Sequence, residues 1–153
     1  MCLAYAIPVE QVAQALAAAA EQVLDTMFFT TVISHSERAP EAALPVCACL
    51  EFRGEPSGSF GVNMSECAAR VVAANFLGDE PDALSGAQVG EVICELANMI
   101  CGAVLTQIHG ENLFELTSPE RQDPEWALAA AVRATGRTFD IGDGLIQAYL
   151  RIN

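Results

Sequence analysis

The chain has 153 residues, of which 52% are hydrophobic and 18% charged, a composition that suits one domain over residues 1–153 with a well-buried core. Twenty acidic residues outnumber seven basic ones and give a formal net charge of −13 at pH 7. That excess repels nucleic-acid phosphates and anionic membranes, so neither is expected as a partner. A protein partner that presents a basic or metal-bearing face is expected instead.

The types of basic residue exclude several classes of enzyme. All seven are arginine, and the absence of lysine rules out Walker-type phosphate loops, Schiff-base enzymes and Ser–Lys hydrolases. His35 and His109 are the only histidines, which is too few for a histidine-rich metal centre.

The six cysteines form neither a CxxC pair nor a disulfide framework, so reduced thiols are expected. Without a positively charged leader or about 20 uninterrupted apolar residues, the sequence predicts a cytoplasmic protein.

The first elements in chain order are a long helix and a hairpin. Apolar residues recur at helical spacing from Pro8 to about Phe29, with acidic and amide side chains on the opposite face. A loop follows. Val46 to Phe52 then reads as a strand, and Ser59 to Met64 reads as its antiparallel partner across a turn.

Helix signals dominate the middle of the chain, and strand-like pieces follow it. Ser65 is a predicted N-cap and Gly78 a predicted C-terminal stop for a shorter helix. A third helix is predicted from about Ser85 to Gln107. The strand-like pieces are Leu113 to Thr117, Trp126 to Arg133 and Leu145 to Ile152. The sum is an α+β fold, with two long helices and a shorter one on a mostly antiparallel sheet.

The third helix has a narrow polar stripe opposite a broad apolar face. Advancing 100° per residue from Glu91 places Glu95, Asn98 and Gly102 within about 40° of it. A glycine inside a helix costs roughly 1 kcal/mol relative to alanine, so Gly102 indicates a place that something approaches closely. Taken alone, a stripe of this kind is also typical of a solvated helix face.

The run from Gly90 to Gly102 resembles the signature helix of the CheX/CheC/FliY phosphatases. The family pattern is Asp or Ser, three residues, Glu, two residues and Asn, followed later by a proline. Here Glu91 stands at the Asp or Ser position, Glu95 and Asn98 match, and Pro119 is the later proline. The segment from Gly58 to Ser65 is similar to the family's central strand entering its second helix.

The resemblance implies a CheC/CheX-like fold and an enzyme that removes phosphate from the aspartate of a CheY-like response regulator. It implies that Asn98 orients the attacking water and that Glu95 docks on the regulator's lysine, with Glu91 and Gly102 as further partner contacts. The regulator would supply Mg²⁺, so no cofactor or metal of the chain's own is expected. A homodimer is also implied.

Some relatives have a second Glu-x-x-Asn on the first long helix. The equivalent here is Glu21-Gln-Val-Leu24, where leucine replaces the asparagine. An apolar side chain cannot align a water molecule, so this second site is expected to be inactive.

Three other interpretations remain open from the sequence. The first is a non-catalytic module that binds a response regulator, and the second is a structural subunit of the flagellar-switch kind. The third is a metal protein built on Cys47, Cys49 and His109, with the two cysteines on one side of a strand.

Overall fold

The computed structural model describes residues 7–110 and 112–153. It has four helices, which are α1 (Val9–Met27), α2 (Glu66–Leu77), α3 (Gly86–Ile108) and α4 (Pro124–Val132). The strands are β1 (Ser34–Ser36), β2 (Val46–Arg53), β3 (Gly58–Met64), β4 (Glu115–Leu116), β5 (Glu120–Arg121), β6 (Thr135–Asp140) and β7 (Leu145–Ile152). A short 3₁₀ turn lies at Pro81–Ala83.

All of these strands belong to one antiparallel sheet. Its order is β1-β6-β7-β3-β2-β4, and β5 pairs with β2 beside β4. The predicted hairpin is confirmed, because Val46 lies opposite Met64 and Phe52 opposite Gly58. The predicted last strand has the bounds observed for β7. The chain is therefore α+β with a mostly antiparallel sheet, as the sequence predicts.

Side chains alternate between the two faces of the sheet. Phe60, Val62 and Met64 of β3 are completely buried in the core that the sheet shares with α1, α2 and α3. Asn63 points to the other face, where its Nδ2 donates to the carbonyl oxygen of Ala127 in α4. Three helices thus cover one face, and α4 packs on the other.

The prediction for residues Trp126 to Arg133 is wrong, because this run lies in helix α4 and not in a strand. Asp123 is the N-cap and its side chain accepts hydrogen bonds from the backbone N–H groups of Glu125 and Trp126. Pro124 occupies the first turn, where its missing N–H costs nothing. The alanines that follow favour a helix. Trp126 is half exposed, so it is not the core residue that a buried strand would have required.

Helix α3 is the central helix of the core. Its ten buried residues include Ile93, Leu96 and Ile100, each with no exposed surface. Among the described residues, α3 is also the one helix long and apolar enough to cross a membrane, and 56% of its most apolar stretch is buried inside the protein. This burial fits a helix that belongs to the core.

Candidate functional site

The start of α3 is fixed by a reciprocal pair of hydrogen bonds. Ser85 Oγ accepts from the backbone N–H of Gln88 at 3.1 Å, and Gln88 Oε1 accepts from the backbone N–H of Ser85 at 2.8 Å. This capping box satisfies two donors that would otherwise lack partners at the helix N-terminus. It sets the helix register that determines which side chains face the core and which face outward.

The polar stripe of α3 lines a groove of about 320 Å³. Glu91, Cys94, Glu95 and Asn98 form its helix side. The other side is the segment from Leu116 to Pro119. Glu91 and Glu95 are exposed, whereas Asn98 is half-buried. We call this the polar groove, and it brings three of the four predicted site residues together.

Gly102, the fourth predicted site residue, lies one turn further along α3. A Cβ atom built on it would meet no other heavy atom within 4 Å outside the local helix backbone. The space above Gly102 is therefore open, and nothing within the described protein requires a glycine there. No group of the described protein packs closely against Gly102, so the sequence-based expectation of close packing there could only be met by another molecule.

The far side of the polar groove is held in place by the edge of the sheet. Thr117 Oγ1 accepts from the backbone N–H of Glu51 at 2.9 Å, and the Thr117 N–H donates to the Glu51 carbonyl oxygen at 2.9 Å. Strands β4 and β5 flank this segment and both pair with β2. Thr117 and Ser118 are groove residues that the sequence did not identify, because their position depends on this long-range pairing.

The two carboxylates of the polar groove have no cation partner among the described residues. The ion pairs found there involve Glu21, Glu37 and Glu66. Glu91 and Glu95 are four residues apart on one helix, a spacing at which like charges repel by a few tenths of a kcal/mol. A cation brought by a partner would relieve this repulsion.

Arg121 is a basic residue beside α3 to which the sequence assigned no role. Its Nη1 lies so close to the Gly90 Cα that a Cβ there would collide with it. The glycine thus lets the guanidinium rest on the surface of α3, at the end of the polar groove. The only local sequence feature associated with the contact between Arg121 and α3 is the small residue Gly90, one position before Glu91.

The thiol in the polar groove is not a reactive nucleophile. Burial raises the pKa of the Cys94 thiol, the Glu91 carboxylate raises it further, and Arg121 offsets part of the increase. A thiol with a raised pKa is protonated at neutral pH and attacks phosphorus poorly. The groove chemistry therefore depends on the Asn98 amide, the two carboxylates and the hydroxyls of Thr117 and Ser118.

A metal centre of the chain's own has no supporting geometry in the part of the chain described. Among residues 7–110 and 112–153, no three His, Cys, Asp or Glu side chains are placed to hold an ion together. Burial raises the pKa of the Cys47 thiol to about 11 and also raises that of Cys49, which disfavours the thiolate that a metal needs.

The predicted second site on α1 has no counterpart of Asn98. Leu24 is completely buried in the core, and the Glu21 carboxylate lies 3.4 Å from His35 Nε2. The position where an asparagine would be needed is therefore a packing position.

Comparison with known proteins decides the family. Residues 46–126, just over half of the chain, match the family described as chemotaxis phosphatase CheX. The chain belongs to the CheX family. The match includes the hairpin, α2, α3 and the segment that closes the polar groove. No curated protein matches the sequence significantly.

Solved structures show the same fold. CheX from Vibrio vulnificus is 18% identical, with a TM-score of 0.73 over 97% of this chain and 100% of that one. CheX from Borrelia burgdorferi, solved in a complex with CheY, BeF₃ and Mg²⁺, is 20% identical, with a TM-score of 0.70 over 92% and 96%. The middle domain of FliM from Vibrio alginolyticus is 13% identical, with a TM-score of 0.57 over 95% and 94%.

Proposed function

We propose that this CheX-family chain hydrolyses the aspartyl phosphate of a CheY-like response regulator, with Asn98 as the residue that orients the attacking water. The observation that carries the proposal is the position of Asn98. Its amide is half-buried in the polar groove, on the central helix of the core, and makes no hydrogen bond to another described residue. It is therefore available to a ligand on a rigid support.

An acyl phosphate needs little chemical help beyond a well-placed nucleophile. Phosphoryl transfer is catalysed mainly by positioning and by electrostatic stabilisation of the phosphoryl oxygens. A carboxamide can accept a hydrogen bond from a water molecule and donate another, so it can fix the orientation of that water. This role requires no strong base, in agreement with a polar groove that lacks histidine.

Glu95 is proposed to dock on a lysine of the regulator. Its carboxylate is exposed, one turn before Asn98 on the same groove. A charge-assisted pair would fix how far α3 enters the partner's site. Glu91, four residues earlier, would add a polar contact at the edge of the same interface.

Mg²⁺ is proposed to come with the regulator. The CheX of Borrelia burgdorferi was solved together with CheY and Mg²⁺, which supports this source for the ion. The residues of the polar groove would contact the partner's phosphoryl group and lysine without binding a cation directly.

The decay of phosphorylated response regulators from the same genome tests the proposal. In the presence of Mg²⁺ the native chain should accelerate the decay of one of them. Asn98→Ala should lose this acceleration by a factor on the order of 100, because the water is no longer aligned. Gln107→Ala removes an exposed amide from the same helix outside the polar groove and should behave as the native chain.

Two results would contradict the proposed phosphatase activity or its assignment to Asn98. If Asn98→Ala dephosphorylates the regulator at the native rate, Asn98 is not the catalytic residue. If no regulator is dephosphorylated but one binds, the chain is the non-catalytic module that the sequence left open.

A further inference from the structure

A second groove, of about 200 Å³ and mainly apolar, lies beyond Asn98 between α3 and residues 112–116, and we call it the apolar groove. Gly102 and Leu105 form its helix side, and Leu113 and Phe114 form the other. Leu116 lines both grooves, so the two are adjacent. Gly102 follows Asn98 by four residues, a rise of about 6 Å along the helix.

Two features distinguish this apolar groove from ordinary surface. Leu113 is 94% exposed, although it is a large apolar side chain. The open space above Gly102 leaves room for a side chain from outside. An exposed leucine beside an unfilled apolar groove is typical of a surface that binds another molecule.

We infer that the apolar groove takes an aliphatic or aromatic side chain of the same response regulator whose aspartyl phosphate meets Asn98. This inference rests on the proposed function and adds to it a second, apolar point of contact. The polar contacts alone are weak anchors, since ion pairs exposed to water contribute little to affinity. Most interfaces derive their affinity from a few apolar anchors in pockets.

Charge favours a regulator over a second copy of this chain as the occupant. Glu91 and Glu95 lie on the same face of α3 as the apolar groove. A second copy would bring another net charge of −13 toward them. Like charges held together at an interface are costly, whereas a regulator that offers a lysine is attracted.

A large side chain placed at Gly102 would fill the apolar groove. The measurement is the Kd for binding of this chain to the regulator loaded with Mg²⁺ and BeF₃. Gly102→Leu should weaken binding roughly ten- to a hundredfold, the effect of excluding one large apolar side chain. Gly86→Leu is the matched control. It lies in α3 as well, its Cβ would also meet open space, and it is outside both grooves. It should bind as the native chain does.

A second pair of variants changes side chains that are mostly exposed and therefore contribute little to the core. Leu113→Ser changes an exposed residue of the apolar groove and should weaken binding several-fold. Val132→Ser changes a residue that is 74% exposed on α4 and should leave the Kd unchanged.

Native Kd values for both Gly102→Leu and Leu113→Ser would overturn the inference, and Asn98-dependent hydrolysis would then leave the proposed function standing. The inference is also overturned if Leu113→Ser alters self-association in light scattering and leaves regulator binding unchanged. A loss of hydrolysis in Asn98→Ala supports the proposed function, and weaker binding by both Gly102→Leu and Leu113→Ser, with native Kd values for their controls, supports the inference. Absence of hydrolysis by the native chain counts against the proposed function alone.

Discussion

At the scale of single residues, the site is defined by groups that have no partner within the described protein. Asn98 has an unengaged amide, and Glu91 and Glu95 have no cation within ion-pair distance among the residues described. Stability alone would favour a lysine at one of the two glutamate positions, because opposite charges at this spacing attract. Their arrangement therefore suits binding better than folding.

Glu95→Gln is expected to raise the Kd of the phosphorylated regulator on the order of tenfold. The amide keeps the shape of the side chain but loses the charge that is proposed to pair with the partner's lysine, and hydrogen bonds to charged groups contribute about 1.5–3 kcal/mol. Isothermal titration at low and high salt measures the effect, and the variant should show the weaker salt dependence. Glu10→Gln makes the same change at an exposed position of α1. An equal loss in that variant would show that net charge, and not Glu95, controls binding.

At the scale of elements, α3 depends on its capping box for the register of the groove. Ser85→Ala removes the acceptor for the Gln88 N–H and should lower the free energy of unfolding by about 1 kcal/mol. Urea denaturation of the two proteins measures the difference. Ser85→Asn keeps a capping acceptor and should stay close to native stability. If Ser85→Ala unfolds at the native midpoint, the capping box does not stabilise α3.

The elements that the sequence predicted correctly are those with local signals. Ser65 caps α2 as predicted, α3 begins after Ser85 as predicted, and Gly78 ends α2 with a φ of 69°, a left-handed conformation that glycine adopts readily. The α4 run is the exception, because a short apolar run is also typical of a strand, whereas Asp123 and Pro124 before it are a local signal for the start of a helix.

The parts that could not be predicted depend on contacts distant in sequence. Strands β4 and β5 have two residues each and exist because they pair with β2. The stripe of Glu91, Glu95 and Asn98 follows from helical periodicity, so the sequence placed it correctly on one face. Nothing local indicated that Thr117 and Ser118 would lie opposite.

At the scale of the whole molecule, the acidic surface surrounds a core that contains unionised thiols. Burial raises the pKa of the Cys101 thiol to about 12 from its ordinary value of 9.0, and it also raises that of the Tyr149 hydroxyl. Cys101 belongs to the core that α1, α2, α3 and the sheet share, and Tyr149 is a buried residue of β7. Ionisation of these groups therefore opposes folding of the whole chain.

Stability is expected to fall as the pH rises from about 9 towards 12. Cys101 binds its proton more tightly in the folded state, so its contribution is complete below pH 9 and is lost as the pH rises to the folded pKa. The loss is about 1.4 kcal/mol per pH unit for this thiol. Urea unfolding at pH 8 and pH 10 measures it. Cys101→Ala should show a smaller decrease over the same interval, and an equal decrease would exclude this thiol as the cause.

The homodimer and the single folding unit over residues 1–153 stay predictions at this scale. Strand β1 lies at one edge of the sheet with all three residues exposed, and an edge of this kind is available for pairing with a second chain.

Helix α3 has one face in the core and another in the polar groove. The residues of the groove face can therefore change during evolution without changes in the residues of the core face. Under the proposed function, exchange of Asn98 would remove hydrolysis without touching Ile93, Leu96 or Ile100, so the altered protein would still fold and keep its docking surface. On that proposal, one substitution converts an enzyme into a binding module, and the reverse change is as short. The buried Leu24 of α1 has no such freedom, since a change there would disturb the core itself.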